Sequence, residues 1–361
     1  MEGNFGQIKR VAKALADCEK PVICVGGGVF FAKAADEVLR LSQKLRIPVV
    51  STMMGLGAVP GGYDLFLGMM GMHGVAAANL AIREADLLLI VGARIGDRAV
   101  NSPDAIANNT KIVHIDIDPA EIGKNVGVHI PLVGDAKNAL SRLAGRWRSS
   151  TFEWSAQAVS RKKTGAFSKE NGVNPKRFMA MFSNAAPEDT ILVADVGQNQ
   201  IWSANYFQVK KGRFLTSGGM GTMGYSVPAA MGAKCSRPDA PVFAVCGDGS
   251  FQMQMMELAT IVQHQIPVKI VLMQNARLGM VRELQTNQYH GNCTAVFLDG
   301  SPDFLKLAEA YGIPASRVVS DAEIPQALKR CLQRRDRTFW YATWTPEKLR
   351  YRACRPGVWH G

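Results

Sequence analysis

The sequence predicts an α/β protein made of two tandem, doubly wound parallel-sheet domains, and three observations carry that prediction. Short unbroken runs of Val, Ile and Leu recur along the 361 residues and alternate with stretches of helical period. Strands of that kind are buried on both faces, as in parallel sheets covered by helices. Many of the runs stop at Gly, Asp or Asn, the residue types that meet ligands at the carboxyl ends of such strands. The apolar periodicity also fades once, between residues 146 and 174, where polar residues collect (Arg146, Arg148, Ser149, Ser150, Arg161, Lys162 and Lys163). That stretch reads as a linker between a first domain, 1–145, and a second, 175–337.

In the first domain Pro21–Val25 is a buried strand that ends at Gly26-Gly27-Gly28. A helical stretch from Ala32 to Leu45 leads to the strand Pro48-Val49-Val50. A helical pattern closes at Glu84, the strand Asp86–Val91 ends at Gly92, and Ile112–Ile117 is a further strand. The second domain repeats the scheme with strands at Ile191–Ala194, Pro241–Val245 and Val268–Met273, and a helix from Gln252 to His264 between the last two. The 35 glycines fall partly in clusters, which suit turns that bring backbone close to a phosphate.

Composition narrows the class. Hydrophobic residues make up 47% and charged residues 20%, ordinary for a soluble domain, and no run reaches the 18 apolar residues of a membrane span. Met1-Glu2-Gly3-Asn4 carries a charge and opens no apolar segment, so no secretory leader is read. The seven cysteines show no CxxC spacing, so the expectation is a cytoplasmic chain with reduced thiols and no zinc. Net charge is +12, but nine Lys or Arg against Asp336 and Glu347 lie from Lys329 onward. Basic charge massed in a tail, with the rest near balance, speaks against a nucleic-acid face.

Gly247-Asp248-Gly249-Ser250 follows a buried strand and opens a helix, and Asn275 ends the next strand, 27 positions after Asp248. In a parallel sheet both fall at carboxyl strand ends. The N–H groups after Gly249 suit a diphosphate, and Asp248 with Asn275 offers the hard oxygens that Mg2+ prefers.

This pattern resembles the thiamine-diphosphate signature, with Gln274 where the usual Asn-Asn ending has its first Asn. Thr216–Tyr225, Phe251–Thr260 and Leu278–Glu283 resemble the acetolactate synthase catalytic subunits, a likeness that runs from about Gly3 to Ala327. The resemblance implies the central and carboxyl-terminal domains of that family. It implies Mg2+ on Asp248, Asn275 and the backbone carbonyl of Arg277. It lines thiamine diphosphate with Val196, Gly197, Gln198, Asn199, Gly221, Met223, Gly247, Gly249, Ser250 and Met253. Met223 becomes the apolar prop beneath the thiazolium and, with Gln198, supports catalysis. Met280 and Val281 would face the substrates, as would Leu284, which stands where many members carry Trp.

The first domain resembles the same family's FAD domain. Gly26-Gly27-Gly28 would form the first phosphate loop and Met70-Gly71-Met72-His73-Gly74 the second contact. Gly92-Ala93-Arg94-Ile95-Gly96-Asp97-Arg98 resembles the GARFDDR element, with Gly96 replacing an Asp. Arg94 is then a bidentate partner for the pyrophosphate. Arg98 belongs to the same element, Asp116 and Ile117 would hold ribose or adenine, and Asp135 would meet another part of the flavin, which the net reaction does not consume.

The implied reaction condenses two pyruvates, or pyruvate and 2-oxobutyrate, with loss of CO2, for branched-chain amino-acid biosynthesis. The implied assembly is a homodimer or higher oligomer with a small regulatory subunit. The family's activating glutamate lies in an amino-terminal domain to which no residue here corresponds, so the expectation is an incomplete chain, inactive unless a separate chain supplies that domain. Residues 338–361 read as an atypical tail, consistent with a slipped reading frame: Trp340, Trp344 and Trp359 crowd there, and only Pro346-Glu347-Lys348-Leu349 and Tyr351 echo the family. Runner-up readings are another thiamine-diphosphate carboligase such as glyoxylate carboligase, or a non-catalytic FAD-binding module. Against a nicotinamide dehydrogenase, the first strand is followed by no clean GxGxxG, and that reading leaves Asp248 and Asn275 unexplained.

Overall fold

A computed structural model describes residues 3–100, 106, 110–143, 152–162, 167, 172–333 and 338–343. Two parallel six-stranded sheets organise the described residues. The first holds β1 (Pro21–Val25), β2 (Val49–Ser51), β3 (Phe66–Met69), β4 (Leu87–Val91), β5 (Lys111–Asp116) and β6 (Ile130–Val133) in the order β3-β2-β1-β4-β5-β6. β1 and β4 are buried at every position, as expected for inner strands covered on both faces. The order reverses between β1 and β4, and ligands bind in the crevice at such a point. Gly26–Gly28 and Gly92–Arg94 leave those two strands side by side.

The second sheet holds β7 (Ile191–Ala194), β8 (Arg213–Thr216), β9 (Val242–Gly247), β10 (Lys269–Gln274), β11 (Ala315–Val318) and β12 (Thr338–Thr343), ordered β11-β12-β10-β9-β7-β8. Its reversal lies between β7 and β9. Asp195–Asn199 and Gly247–Ser250 therefore flank the second crevice, and Asn275 follows the adjoining β10.

Four boundaries need correction. The sheet does not end at residue 337: Thr338–Thr343, assigned from the sequence to the tail, pairs in parallel with both β10 and β11. The rest of that tail, 344–361, lies outside the described residues. The stretch 146–174 is more than linker, because Phe152–Ser160 is a helix on the first domain. Trp154 is buried there and its Nε1 donates to the Pro21 carbonyl at 3.0 Å, while Arg161 pairs with Glu84 at 2.8 Å. Finally, the helix expected over Gln252–His264 is the shorter Glu257–Gln263, preceded by a separate helix Asp248–Gln252, and the one expected over Ala32–Leu45 is Ala35–Leu45, preceded by Gly28–Phe31.

The Trp154 hydrogen bond is buried, so Trp154→Phe leaves the Pro21 carbonyl without that donor. It should destabilise the first domain by about 1–2 kcal/mol, read as a lowered urea midpoint. Among the described residues no helix is long and apolar enough to cross a membrane.

The domains touch directly. Gly61 N–H donates to the Val209 carbonyl at 2.7 Å, Asn205 Nδ2 to the His73 carbonyl at 2.8 Å, and the Arg213 guanidinium stands 3.4 Å over the Phe30 ring.

Candidate functional site

The site of the second domain assembles from three strand ends. Gly247 ends β9, and Asp248 begins the helix that follows. Asp248 is 1% exposed; Oδ2 accepts the Ala276 N–H at 2.5 Å and Oδ1 the Gly249 N–H at 3.1 Å. Burial pushes its carboxyl up to about 6, although these backbone donors pull the other way. Ser250 Oγ accepts from Gly247 N–H at 3.1 Å and donates to its carbonyl at 3.2 Å, which fixes the helix start.

Asn275 follows β10. Its Oδ1 accepts the Arg277 N–H at 3.0 Å, and its Nδ2 donates to Gln198 Oε1 at 3.3 Å. Ala276 takes the left-handed conformation, at φ 55°, and so turns the chain back beside Asp248. Gln198 also donates to Glu283 Oε2 at 3.1 Å. Asn199 is buried against the sheet, its Nδ2 donating to the Asp195 carbonyl at 2.8 Å and the Val245 carbonyl at 3.3 Å. Of the residues expected at the cofactor, Gln198, Asn199, Gly247, Gly249, Ser250, Asp248, Asn275 and Arg277 thus stand together.

The loop 221–224 completes the site. Gly221 and Gly224 hold φ of 68° and 85°. A Cβ on Gly249 would lie 3.6 Å from Met223 Cε, which places the expected prop over that glycine. Met253, exposed, backs Gly224. A cavity of about 380 Å3 opens beside Thr222–Tyr225 and Pro228. Met280, Val281 and Leu284 ride on the helix Gly279–Gln288, which buries no residue, so they form an open apolar edge rather than a closed pocket. Val196 offers its N–H to Asp195 Oδ1 at 2.9 Å, and that contact exposes a residue the sequence reading missed. Asp195 ends the apolar run Ile191–Ala194 much as Asp248 follows β9; a carboxylate at a strand end was the available signal.

In the first domain the three expected flavin elements converge. Gly28 N–H donates to the Gly92 carbonyl at 2.9 Å, and Met72 N–H to the Arg98 carbonyl at 2.9 Å. Arg94 is exposed, with its carbonyl held by Asn125 Nδ2 at 2.7 Å. Asn79, also missed, braces Gly71 from both sides: Oδ1 accepts its N–H at 2.9 Å and Nδ2 donates to its carbonyl at 3.0 Å. A second cavity, about 340 Å3, lies among Met70, Gly71, Met72, Asn79 and Val100. Asp116 Oδ1 holds the Asp118 N–H at 3.0 Å and Ile117 is exposed. Asp135, at the far strand β6, accepts the Asn138 N–H at 2.9 Å and so caps the next helix. His73 meets the second domain through its carbonyl.

The donor set suits the implied groups. Asp248 is a buried carboxylate met only by neutral N–H groups, and it sits beside the side-chain amide of Asn275 and the backbone of Arg277. Oxygen donors of this kind match Mg2+. Among the described residues no group of three or more His, Cys, Asp or Glu is placed to hold a metal.

Comparison with known proteins identifies the family. Residues 8–143 match the model for the thiamine pyrophosphate enzyme central domain, and residues 195–339 the model for the C-terminal TPP binding domain. A Methanocaldococcus jannaschii protein described as "Probable acetolactate synthase large subunit" is 44% identical over 344 residues, covering 91% of this chain and 58% of the relative. The acetolactate synthase large subunit of Lactococcus lactis is 40% identical over 329 residues, covering 90% and 57%. That of Haemophilus influenzae is 38% identical over 345 residues, covering 91% and 59%. The chain spans under three-fifths of the length of these relatives. Its two sheets, its strand-end glycines and both domain matches place it in the thiamine-pyrophosphate enzyme family, among chains similar to acetolactate synthase large subunits.

Proposed function

We propose that this chain carries the diphosphate-binding and flavin-binding domains of an acetolactate synthase. The observation that supports this best is the buried Asp248 carboxylate beside Asn275 and the N–H groups at Gly249 and Ser250, all at the crevice between strand ends. In this reading Asp248, Asn275 and the Arg277 carbonyl hold Mg2+, and Gly249 and Ser250 receive the diphosphate. Met223 supports the thiazolium, and Met280, Val281 and Leu284 border the 2-oxo acids. Thiamine diphosphate supplies the carbanion chemistry for decarboxylating a 2-oxo acid and joining its remainder to a second. The protein's share is to grip the diphosphate, orient the ring and limit water. FAD would lie across β1 and β4, with Gly26–Gly28, Gly92 and Arg94 at its pyrophosphate and Met70–His73 beside it. The strand order and the nearby cavity support that placement.

The substrates are pyruvate with pyruvate or 2-oxobutyrate, and the partners a second copy and a small regulatory subunit, in the cytoplasm. The proton relay on the pyrimidine ring is assigned to a glutamate outside these 361 residues. Acetolactate formation from pyruvate with thiamine diphosphate, Mg2+ and FAD tests the whole. The chain should turn over when mixed with the amino-terminal domain of a related synthase and negligibly without it. Equal activity without that domain would put the relay within this chain. Inactivity in both, with flavin retained, would favour a binding module.

A further inference from the structure

Asp195 follows β7 and is wholly buried, at 0% exposure. Its carboxylate accepts four N–H groups from three separate segments. Oδ1 takes Val196 N–H at 2.9 Å and Gly224 N–H at 3.0 Å, and Oδ2 takes Ser226 N–H at 2.9 Å and Gln254 Nε2 at 2.7 Å. Gln254, itself buried, accepts the Val227 N–H at 2.9 Å on Oε1 and donates from Nε2 to Ser226 Oγ at 3.2 Å. One carboxylate and one amide therefore join the end of β7, the loop that carries Met223, and the turn after the helix Asp248–Gln252.

The loop needs such a tie. Gly221 and Gly224 both sit in the left-handed region, where glycine is free but unconstrained, and Met220 between the strand and the loop is exposed. All four donors to Asp195 are uncharged, so the buried carboxylate has no ion-pair partner among them. A neutral side chain could end this strand without desolvating a charge. Only a two-oxygen acceptor holds four N–H groups in fixed directions.

We propose that Asp195 and Gln254 are positioning residues that set loop 221–226, and hence Met223, over Gly249, so that the site recognises the thiazolium part of the cofactor as well as its diphosphate. Neither is hydrogen-bonded to Gly249 or Ser250, which receive the diphosphate in this reading; Gln254 acts on the loop, and Asp195 on the loop and on its own neighbours Val196 and Asn199. The inference rests on the thiamine-diphosphate reading above.

The test compares two probes on the full chain, each with Mg2+, by calorimetry: thiamine diphosphate, which would need the loop, and inorganic pyrophosphate, which would not. Asp195→Asn turns an amide N–H toward N–H donors. It should weaken thiamine diphosphate about tenfold or more and leave pyrophosphate within about twofold. Gln254→Ala, which spares three of the four donors, should show the same split more mildly and serves where Asp195→Asn does not fold. Equal weakening of both probes, or of neither, overturns the proposal. So does a wild-type chain that binds pyrophosphate as tightly as thiamine diphosphate. A wild-type chain that binds neither overturns the cofactor reading itself, a distinct failure.

Discussion

Asp248→Ala should abolish magnesium-dependent diphosphate binding, with affinity falling on the order of a hundredfold or more. The carboxylate is the one charged donor in the proposed set, and it is almost fully withdrawn from water. Asn275 and a backbone carbonyl supply only dipoles. Without the charge, nothing at the crevice offsets the cost of stripping water from a divalent ion. Pyrophosphate titrated with and without Mg2+ separates the terms: wild type should bind far better with the ion, and the variant should lose that difference. The Ala276 and Gly249 N–H groups lose their acceptor, so a modest loss of stability is expected as well, followed by circular dichroism. A variant that kept the full magnesium dependence would remove Asp248 from the site.

Gly26→Ala should cost the first domain about 2–3 kcal/mol and lower its thermal transition by about 5–10 °C, while Gly27→Ala stays within about 0.5 kcal/mol. The two neighbours differ in what a methyl group would meet. At Gly26 a Cβ would overlap the Gly92 carbonyl oxygen and press on Ala93, so β1 and β4 would have to part at the reversal of strand order. At Gly27 the nearest atom is Met54 Cβ at 3.4 Å, an ordinary contact. Neither glycine has a positive φ, so the contrast isolates space from backbone preference. Flavin retention should fall with Gly26→Ala, because the same backbone approach shapes the proposed pyrophosphate cradle. Equal tolerance of both substitutions would show that the crevice yields freely.

Much of this was readable in advance, for physical reasons that also explain the omissions. β1 and β7 coincide with their apolar runs because inner parallel strands must be hydrophobic on both faces. β3, β6, β8 and β11 were passed over because they are only four residues long and partly exposed, which leaves too little pattern. β12 was misassigned because the odd composition beyond it coloured the whole stretch from Thr338. The same imbalance holds at the site. Asp248 and Asn275 follow long runs and were legible as a pair. Asp195 and Gln254 are 59 residues apart, and only folding brings them to 2.7 Å.

The placement of β12 also bears on how the protein comes into being. Among the described residues the strand latest in sequence lies inside the second sheet, between β10 and β11. Until Thr338–Thr343 emerges, β10 has an open flank and β11 has no neighbour at all. Nascent chains therefore pass through a stage with exposed strand edges, the state most prone to pairing with other chains. Emergence of Thr338–Thr343, rather than of any earlier strand, is what closes the gap between β10 and β11.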